Sequence, residues 1–373
     1  MKSNSPHEML ARQTPDEMAQ QRFVLALKRH IMGPLRGAIG EVYRLQAEPE
    51  YKNAHGHAPV DRFEAEDALD LTPHYRFTKA LDRTAQEMMW QAVGETIYRE
   101  EARLEDAAER LTKSAKKRGS LTLNPDLEVD PIYVEQPIHL QPESYFPKDD
   151  GRSVIAGAFY ESGGRLYSMG RGMGKEDSKA GAVIAYLKNL RPDWAPKRVL
   201  DMGCSAGGAS AYYAQAFPKA EVHAIDLGSA MLRYAHARAE SLGVGVHFHQ
   251  MSAADTPFPN GYFDLVVSHN ILHEISGDVR RAMARESLRL LAPDGYCIHQ
   301  DVDLLLHDRE VWEQAERAYD FYHNNEPFWI DYTTCDFTSE LKEAGFASVE
   351  EAKLPRTAGP GFWHAWVSRK AVS

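Results

Sequence analysis

Cysteine is scarce in this chain: Cys204, Cys297 and Cys335 are the only three among 373 residues. Scattered and odd in number, they exclude a disulfide framework and suit a reducing compartment. No segment is long and apolar enough to span a bilayer, so no membrane partner is expected. The start, Met1 to Glu8, lacks the apolar core of a secretory signal, and the expectation is a cytoplasmic location. Positive charge is also short, 43 Lys and Arg against 54 Asp and Glu for a net −11. That balance argues against a nucleic-acid partner, because phosphate binding needs a basic surface, and favours small molecules. The one basic run, Lys113, Lys116, Lys117 and Arg118, ends a helical stretch before Gly119, where cations complement the helix dipole.

Two nucleotide motifs are missing as well. A dinucleotide fingerprint G-x-G-x-x-G starting at Gly203 would need its second glycine at Ser205. Tyr167 to Asp177 is glycine-rich but lacks the spacing of a P-loop, and no Ser or Thr follows Lys175.

What is present is V-L-D-M-G-C-S-A-G-G, Val199 to Gly208: a buried strand, an acid at its carboxyl end, then a glycine turn opening a helix over about Ala209 to Phe217. Gly203, Gly207 and Gly208 let backbone approach a ligand, and the helix aims its first amides at it. Cys204 reads as a small buried filler. The next strand, E-V-H-A-I-D, ends at Asp226, about twenty residues on, where a carboxylate accepts hydrogen bonds from ribose hydroxyls. That position serves S-adenosylmethionine (SAM) and NAD alike.

The first block, Asp201 to Gly207, resembles motif I of the class I SAM-dependent methyltransferases, D-x-G-C-G-x-G, with Ser205 as the departure. The segment His247 to Val267 resembles the UbiE-type pattern G-D-A-x-x-L-P-F-x-x-x-x-F-D-x-V, matched by Pro257, Phe258, Phe263, Asp264 and Val266. The resemblance covers roughly Tyr167 to Lys370. It implies SAM as cofactor, held by Asp201, Gly203, Ser205, Gly207, Asp226 and Leu227. Ser252 and Ala253 would meet the adenine, with Asp255 in reserve, and Ser268, Tyr167 and Arg171 complete the set. Asp264 serves equally as a loop anchor.

The fold class expected is α/β, a doubly wound, seven-stranded, mostly parallel Rossmann-like sheet with an N-terminal α-helical domain. Helices are predicted at Ser229 to Leu242 and Asp278 to Leu291, followed by an A-P-D-G turn, and strand five at Gly295 to Val302. Helix Phe337 to Ala344 and an antiparallel pair, Ala347 to Leu354 and Gly361 to Arg369, close the chain. Residues 1–118 read as helical, over Gln21 to Ala47 with a break at Gly33-Pro34 and over Thr78 to Arg118. Residues 119–150, with five prolines, read as an extended strap. Residues 151–373 form the SAM domain, with an aromatic lid at 303–335. The layout resembles small-molecule O-methyltransferases whose N-terminal helices dimerise and cap the substrate, so a homodimer is expected.

Ligands in such sheets bind beyond the strand carboxyl ends, which directs attention to S-H-N-I-L-H-E-I, Ser268 to Ile275. His273 resembles the histidine of the O-methyltransferase segment H-D-W-S-D that removes the acceptor's proton; the other reading is a histidine hydrogen-bonded within the fold. His269 is the second catalytic candidate. Asn270, Asp301, His323, Asn324 and Asn325 are candidates for binding the methyl acceptor. His299 and Asp301, with His273, offer nitrogen and oxygen to a metal, but their spacing is not diagnostic and no metal is assigned. The function expected is methyl transfer from SAM to an oxygen of a small metabolite. Carbon, nitrogen or sulfur acceptors, an NAD-dependent oxidoreductase, and a noncatalytic SAM-binding or scaffold protein are the alternatives.

Overall fold

A computed structural model describes residues 7–146, 151–169, 178–307, 309–356 and 361–371. Its strands in chain order are β1 (Ser120–Thr122), β2 (Arg198–Met202), β3 (Glu221–Asp226), β4 (His247–Gln250), β5 (Phe263–His269), β6 (Leu291–Asp301), β7 (Ser348–Pro355) and β8 (Phe362–Arg369). They form one sheet in the order β1-β4-β3-β2-β5-β6-β8-β7. Pairing is parallel from β1 through β6, and β8 enters antiparallel between β6 and β7.

Both faces of the central strands are covered, which is why Val199, Leu200, Leu265, Val266 and Val267 read as unbroken apolar runs. Alternation sends Val199, Leu265 and Val267 into a cluster with the helices Ser178–Leu190 and Gly208–Ala216. Leu200, Met202 and Val266 pack on the other face with Gly277–Leu290 and Phe337–Ala344.

Three local expectations change. The sheet has eight strands, because Ser120–Thr122 of the proline-rich segment pairs with β4, Ser120 opposite His247, and covers an edge that would otherwise stay open. That segment is also not simply extended: it carries a helix at Pro131–Glu135 and a turn at Ile138–Leu140. Lastly, the A-P-D-G residues lie inside β6, which pairs irregularly with β5 from Phe263 opposite Leu291 before its register shifts.

The N-terminal region begins with Pro15–His30, started by a reciprocal cap between Thr14 and Glu17. A helical path continues through Pro34 in wider turns, so the expected break is a local loosening of the helix. The 40-residue helix Pro73–Thr112 follows, about 60 Å long. Met89, Val93 and Ile97 on it share a core with Phe159 of Ile155–Tyr167 and with Met231 and Tyr234 of Ser229–Ser241. Gly157 permits this contact, since a Cβ there would lie 2.3 Å from that of Tyr234. The short helices Val311–Arg317, Tyr319–His323 and Trp329–Thr334 cross the carboxyl end of the sheet and join the N-terminal helices, Ala315 packing with Ile39, Tyr43 and Leu69. Among the described residues no helix is long and apolar enough to cross a membrane.

Candidate active site

The turn after β2 is held in a backbone conformation that favours glycine: φ is +75° at Gly203, +44° at Ser205 and +71° at Gly207. Ser205 therefore occupies a left-handed position with a Cβ, which accounts for glycine in the related pattern. The amides of Gly203 and Cys204 donate to the carbonyl of Ile225 at 2.9 and 3.0 Å, tying the turn to the end of β3. Asp226 accepts from the amides of Ser205 at 2.8 Å and Gly228 at 3.0 Å. Burial pushes its carboxyl above the usual range, against the pull of those amides.

Gly203, Ser205, Asp226, Leu227, Ser252 and Ala253 line one cavity of about 280 Å³, as the sequence motifs suggest. Its remaining wall includes Tyr133, Tyr145 and Phe146 of the strap and Tyr160. None of these had a local signal, because the strap reaches the cavity only through the fold. Asp201 lies beneath the turn, accepting from the Ser210 hydroxyl at 2.6 Å, and borders a small separate void with Gly203 and Ser205. Gly207 backs the turn against Ala235 and Phe248 without lining the cavity. Asp264 accepts from the amides of Lys197 and Arg198, both at 2.8 Å, anchoring the entry to β2, and Asp255 is exposed away from the cavity. Cys204 is buried, and desolvation drives its thiol well above the ordinary value.

A second cavity of about 350 Å³ adjoins the first and shares Tyr160, Asn270 and Glu274 with it. Its wall combines aromatic side chains, among them Trp90, Tyr167, Tyr319 and Trp329, with many polar and charged ones, among them Lys28, Arg36, Asp82, Asn324 and Glu326. Asn270 has φ +57°, and its buried Oδ1 has no hydrogen-bond partner among the described residues, although it borders both cavities.

His273 lines this second cavity, its Nδ1 2.6 Å from Asp301 Oδ1 and its Nε2 3.7 Å from Glu274 Oε1. Burial alone would lower its pKa, but the carboxylates of Asp301 and Glu274 prevail and raise it to about 9. Tyr145 donates to Glu274 Oε1 at 3.1 Å. His139, absent from the sequence candidates, puts Nε2 2.9 Å from the same Glu274 oxygen and Nδ1 2.9 Å from Glu326 Oε1. Its backbone is left-handed, φ +55°, and its carbonyl accepts from Gln86 at 3.0 Å and Trp90 at 2.6 Å. Burial opposes charge on His139 too, and the two glutamates overcome it, raising its pKa well above the ordinary value.

Several sequence assignments move. His269 is not free to act as a base: Nε2 lies 3.0 Å from the Tyr213 hydroxyl and Nδ1 2.5 Å from Gln300 Oε1. Ser268 is fully buried against His299 Nδ1 at 2.8 Å and does not line the first cavity. Tyr167 faces the second cavity, bonded to Asn324 at 3.0 Å and to His139. Asp301 is fully buried behind His273, where it orients that ring and does not line the second cavity. His299 sits between Ser268 and Cys297, apart from His273, and burial lowers its pKa to about 3. His323 and Asn325 lie off the cavity, and Asn324 is the one of that trio that lines it. Arg171 lies outside the described residues.

Residues 199–295 match the family model described as a methyltransferase domain. With the sheet order and the glycine turn, this makes the region a class I SAM-dependent methyltransferase domain, a class whose cofactor is SAM. The chain is 34% identical over 120 residues to the fatty-acid O-methyltransferase of Mycolicibacterium smegmatis, covering 32% of this chain and 42% of that protein. To the ubiquinone/menaquinone biosynthesis C-methyltransferase UbiE of Ralstonia pickettii it is 35% identical over 135 residues, 36% of this chain and 51% of that one. It thus spans about half or less of these relatives. Among solved structures, Haemonchus contortus phosphoethanolamine N-methyltransferase 2 in complex with SAM has a TM-score of 0.40 and 16% identity, with 50% of this chain and 51% of that chain covered.

Proposed function

We propose that this protein transfers a methyl group from SAM to an oxygen of a small molecule held in the 350 Å³ cavity. The observation that carries it is the shared wall: Asn270 and Glu274 border both cavities, and His273 stands beside them on the acceptor side. The Asp226 carboxylate and the glycine turn suit the cofactor's ribose and amino-acid portion, and Ser252 with Ala253 its adenine. When bound, the cofactor supplies a methyl on a positively charged sulfur, and transfer forms the C–O bond while the C–S electron pair returns to sulfur.

His273 is the group placed to take the hydroxyl proton at Nε2, with Asp301 holding Nδ1. A neutral imidazole is required, so the proton that the carboxylates retain on His273 must leave first. The adjacent cofactor cation favours that loss. The relatives' names, a fatty-acid O-methyltransferase and a quinone C-methyltransferase, support a small-molecule acceptor at oxygen or carbon. Exposed Phe63 and Phe77 on the N-terminal helices, with Leu71 in the turn between them, support a homodimer, checked by light scattering, and the buried free thiols support a cytoplasmic location.

The test is incubation with methyl-labelled SAM and fractionated metabolites, following label by mass spectrometry and the bonded atom by NMR. Label on a small-molecule oxygen is the expected result. Bound SAM with no transfer to any fraction would favour a noncatalytic role, and NADH binding without SAM binding would favour an oxidoreductase.

A further inference from the structure

The junction of the two cavities holds a donor set that proton transfer does not exhaust. His273 turns Nδ1 toward Asp301 at 2.6 Å, and His139 turns Nδ1 toward Glu326 at 2.9 Å. Both carboxylates are buried, 0% and 2% exposed. The opposite nitrogens converge: Nε2 of His139 and of His273 lie 2.9 and 3.7 Å from one oxygen, Glu274 Oε1. A ligand atom from each of the three residues falls within 4.8 Å of the others.

Histidines that bind a metal commonly give their second N–H to a carboxylate, which fixes the tautomer and leaves a lone pair on the ligating nitrogen. That arrangement occurs here twice, aimed at one point. Metal bonds of about 2.0–2.2 Å in a tetrahedral site place neighbouring donor atoms roughly 3.3–3.6 Å apart, a range between the 2.9 and 3.7 Å that separate Glu274 Oε1 from the two Nε2 atoms. Glu274 keeps a second oxygen, Oε2, buried without a hydrogen-bond partner among the described residues.

We propose that His139, His273 and Glu274 bind a divalent transition-metal cation through two imidazole Nε2 atoms and one carboxylate. Two nitrogens and an oxygen suit Zn²⁺, Mn²⁺ or Fe²⁺, and three protein donors leave positions open toward the acceptor cavity. What the cation does there rests on the methyl-transfer reading. It replaces the proton on His273 Nε2, coordinates the acceptor's oxygen and lowers the pKa of its hydroxyl, whose proton passes to water. In the loaded enzyme His273 is then a ligand, and its role as proton acceptor belongs to the metal-free form.

The test is titration of EDTA-stripped full-length protein with Co²⁺, followed by its visible absorption, and then with Zn²⁺ as competitor. One equivalent of Co²⁺ per chain, displaced by Zn²⁺, is expected. His139→Ala should abolish the bands while S-adenosylhomocysteine binding persists, which reports that the variant is folded. Glu326→Gln, which touches no cation, should weaken binding roughly 10- to 100-fold, and His323→Ala should leave it unchanged. No stoichiometric binding, or binding that both His139→Ala and Glu326→Gln leave intact, overturns the site. Transfer at full rate in EDTA overturns the cation's part in it. Co²⁺ held by these residues in a protein that transfers no methyl keeps the site and ends the methyl-transfer reading.

Discussion

His273 Nδ1 and Asp301 Oδ1 lie 2.6 Å apart, and Asp301 also accepts from the amides of Leu272 at 2.9 Å and Val302 at 2.7 Å. The carboxylate is thus fixed by β6 and the chain after β5 before it orients the ring. In metal-free enzyme His273→Ala is expected to lower kcat by roughly 10²- to 10⁴-fold, the usual range for a lost general base. S-adenosylhomocysteine affinity should stay the same, because His273 does not line the cavity proposed for the cofactor. Asp301→Asn should slow transfer by misorienting the ring, with the thermal melt as a check on folding. Unchanged turnover in His273→Ala would remove the base assignment.

Asp226 is expected to control cofactor affinity. A hydrogen bond to a charged group contributes about 1.5–3 kcal/mol, so Asp226→Asn should raise the dissociation constant for S-adenosylhomocysteine by roughly ten- to a hundred-fold. Calorimetric titration measures this directly. An unaltered constant would mean that the ribose binds elsewhere.

Ser205 carries a backbone cost that glycine would not. Its φ of +44° lies in the left-handed region, where a side chain costs roughly 1–2 kcal/mol. Ser205→Gly should therefore raise the melting temperature slightly, partly offset by the entropy of a freer unfolded chain, and Ser205→Val should lower it. A fall in Ser205→Gly would show that the serine side chain holds the turn.

Acid sensitivity should be traceable to Glu161. Burial opposes its ionisation, but Arg238, His7 and Tyr234 prevail and lower its pKa from 4.5 to about 2. Tyr234 donates to it at 2.5 Å and Arg238 at 3.1 Å. Because the folded pKa lies below the unfolded one, the unfolded chain binds more protons between these values. The stabilisation is complete above about pH 4.5 and disappears as pH falls toward 2. The shift corresponds to about 3 kcal/mol. Denaturant midpoints at successive pH values should fall more steeply for the natural protein than for Glu161→Gln below pH 4.5. Parallel curves would sink the assignment.

Gly157 tests the union of the N-terminal helices with the sheet. Gly157→Val must push Tyr234 aside, and overpacking of this kind typically costs about 1–3 kcal/mol. A lower melting temperature is the expected result, and an unchanged one would mean that the helices separate easily.

The sequence by itself determined the sheet and the cofactor turn. Strand periodicity, glycine spacing and the acid at the end of β3 are local, set by backbone sterics and burial within a few residues, so Gly203, Ser205 and Asp226 could be read in advance, while Ser252 and Ala253 were expected only from the resemblance to the UbiE-type pattern; all five line one cavity. His273 was legible too, because it follows β5, where such sheets expose ligands. Only the tertiary structure decided the rest. His139 reaches Glu274 across 135 residues and Glu326 across 187, through a strap turn whose sequence shows no periodicity. How two neighbouring histidines are held was likewise undecidable from spacing: His269 lines the first cavity but is bonded at both nitrogens, to Tyr213 and Gln300, while His273 lines the second with, among the described residues, only Nδ1 hydrogen-bonded, to Asp301. Hydrogen-bond satisfaction in a buried site depends on which distant elements pack there, and that information lies in the packing of the whole chain.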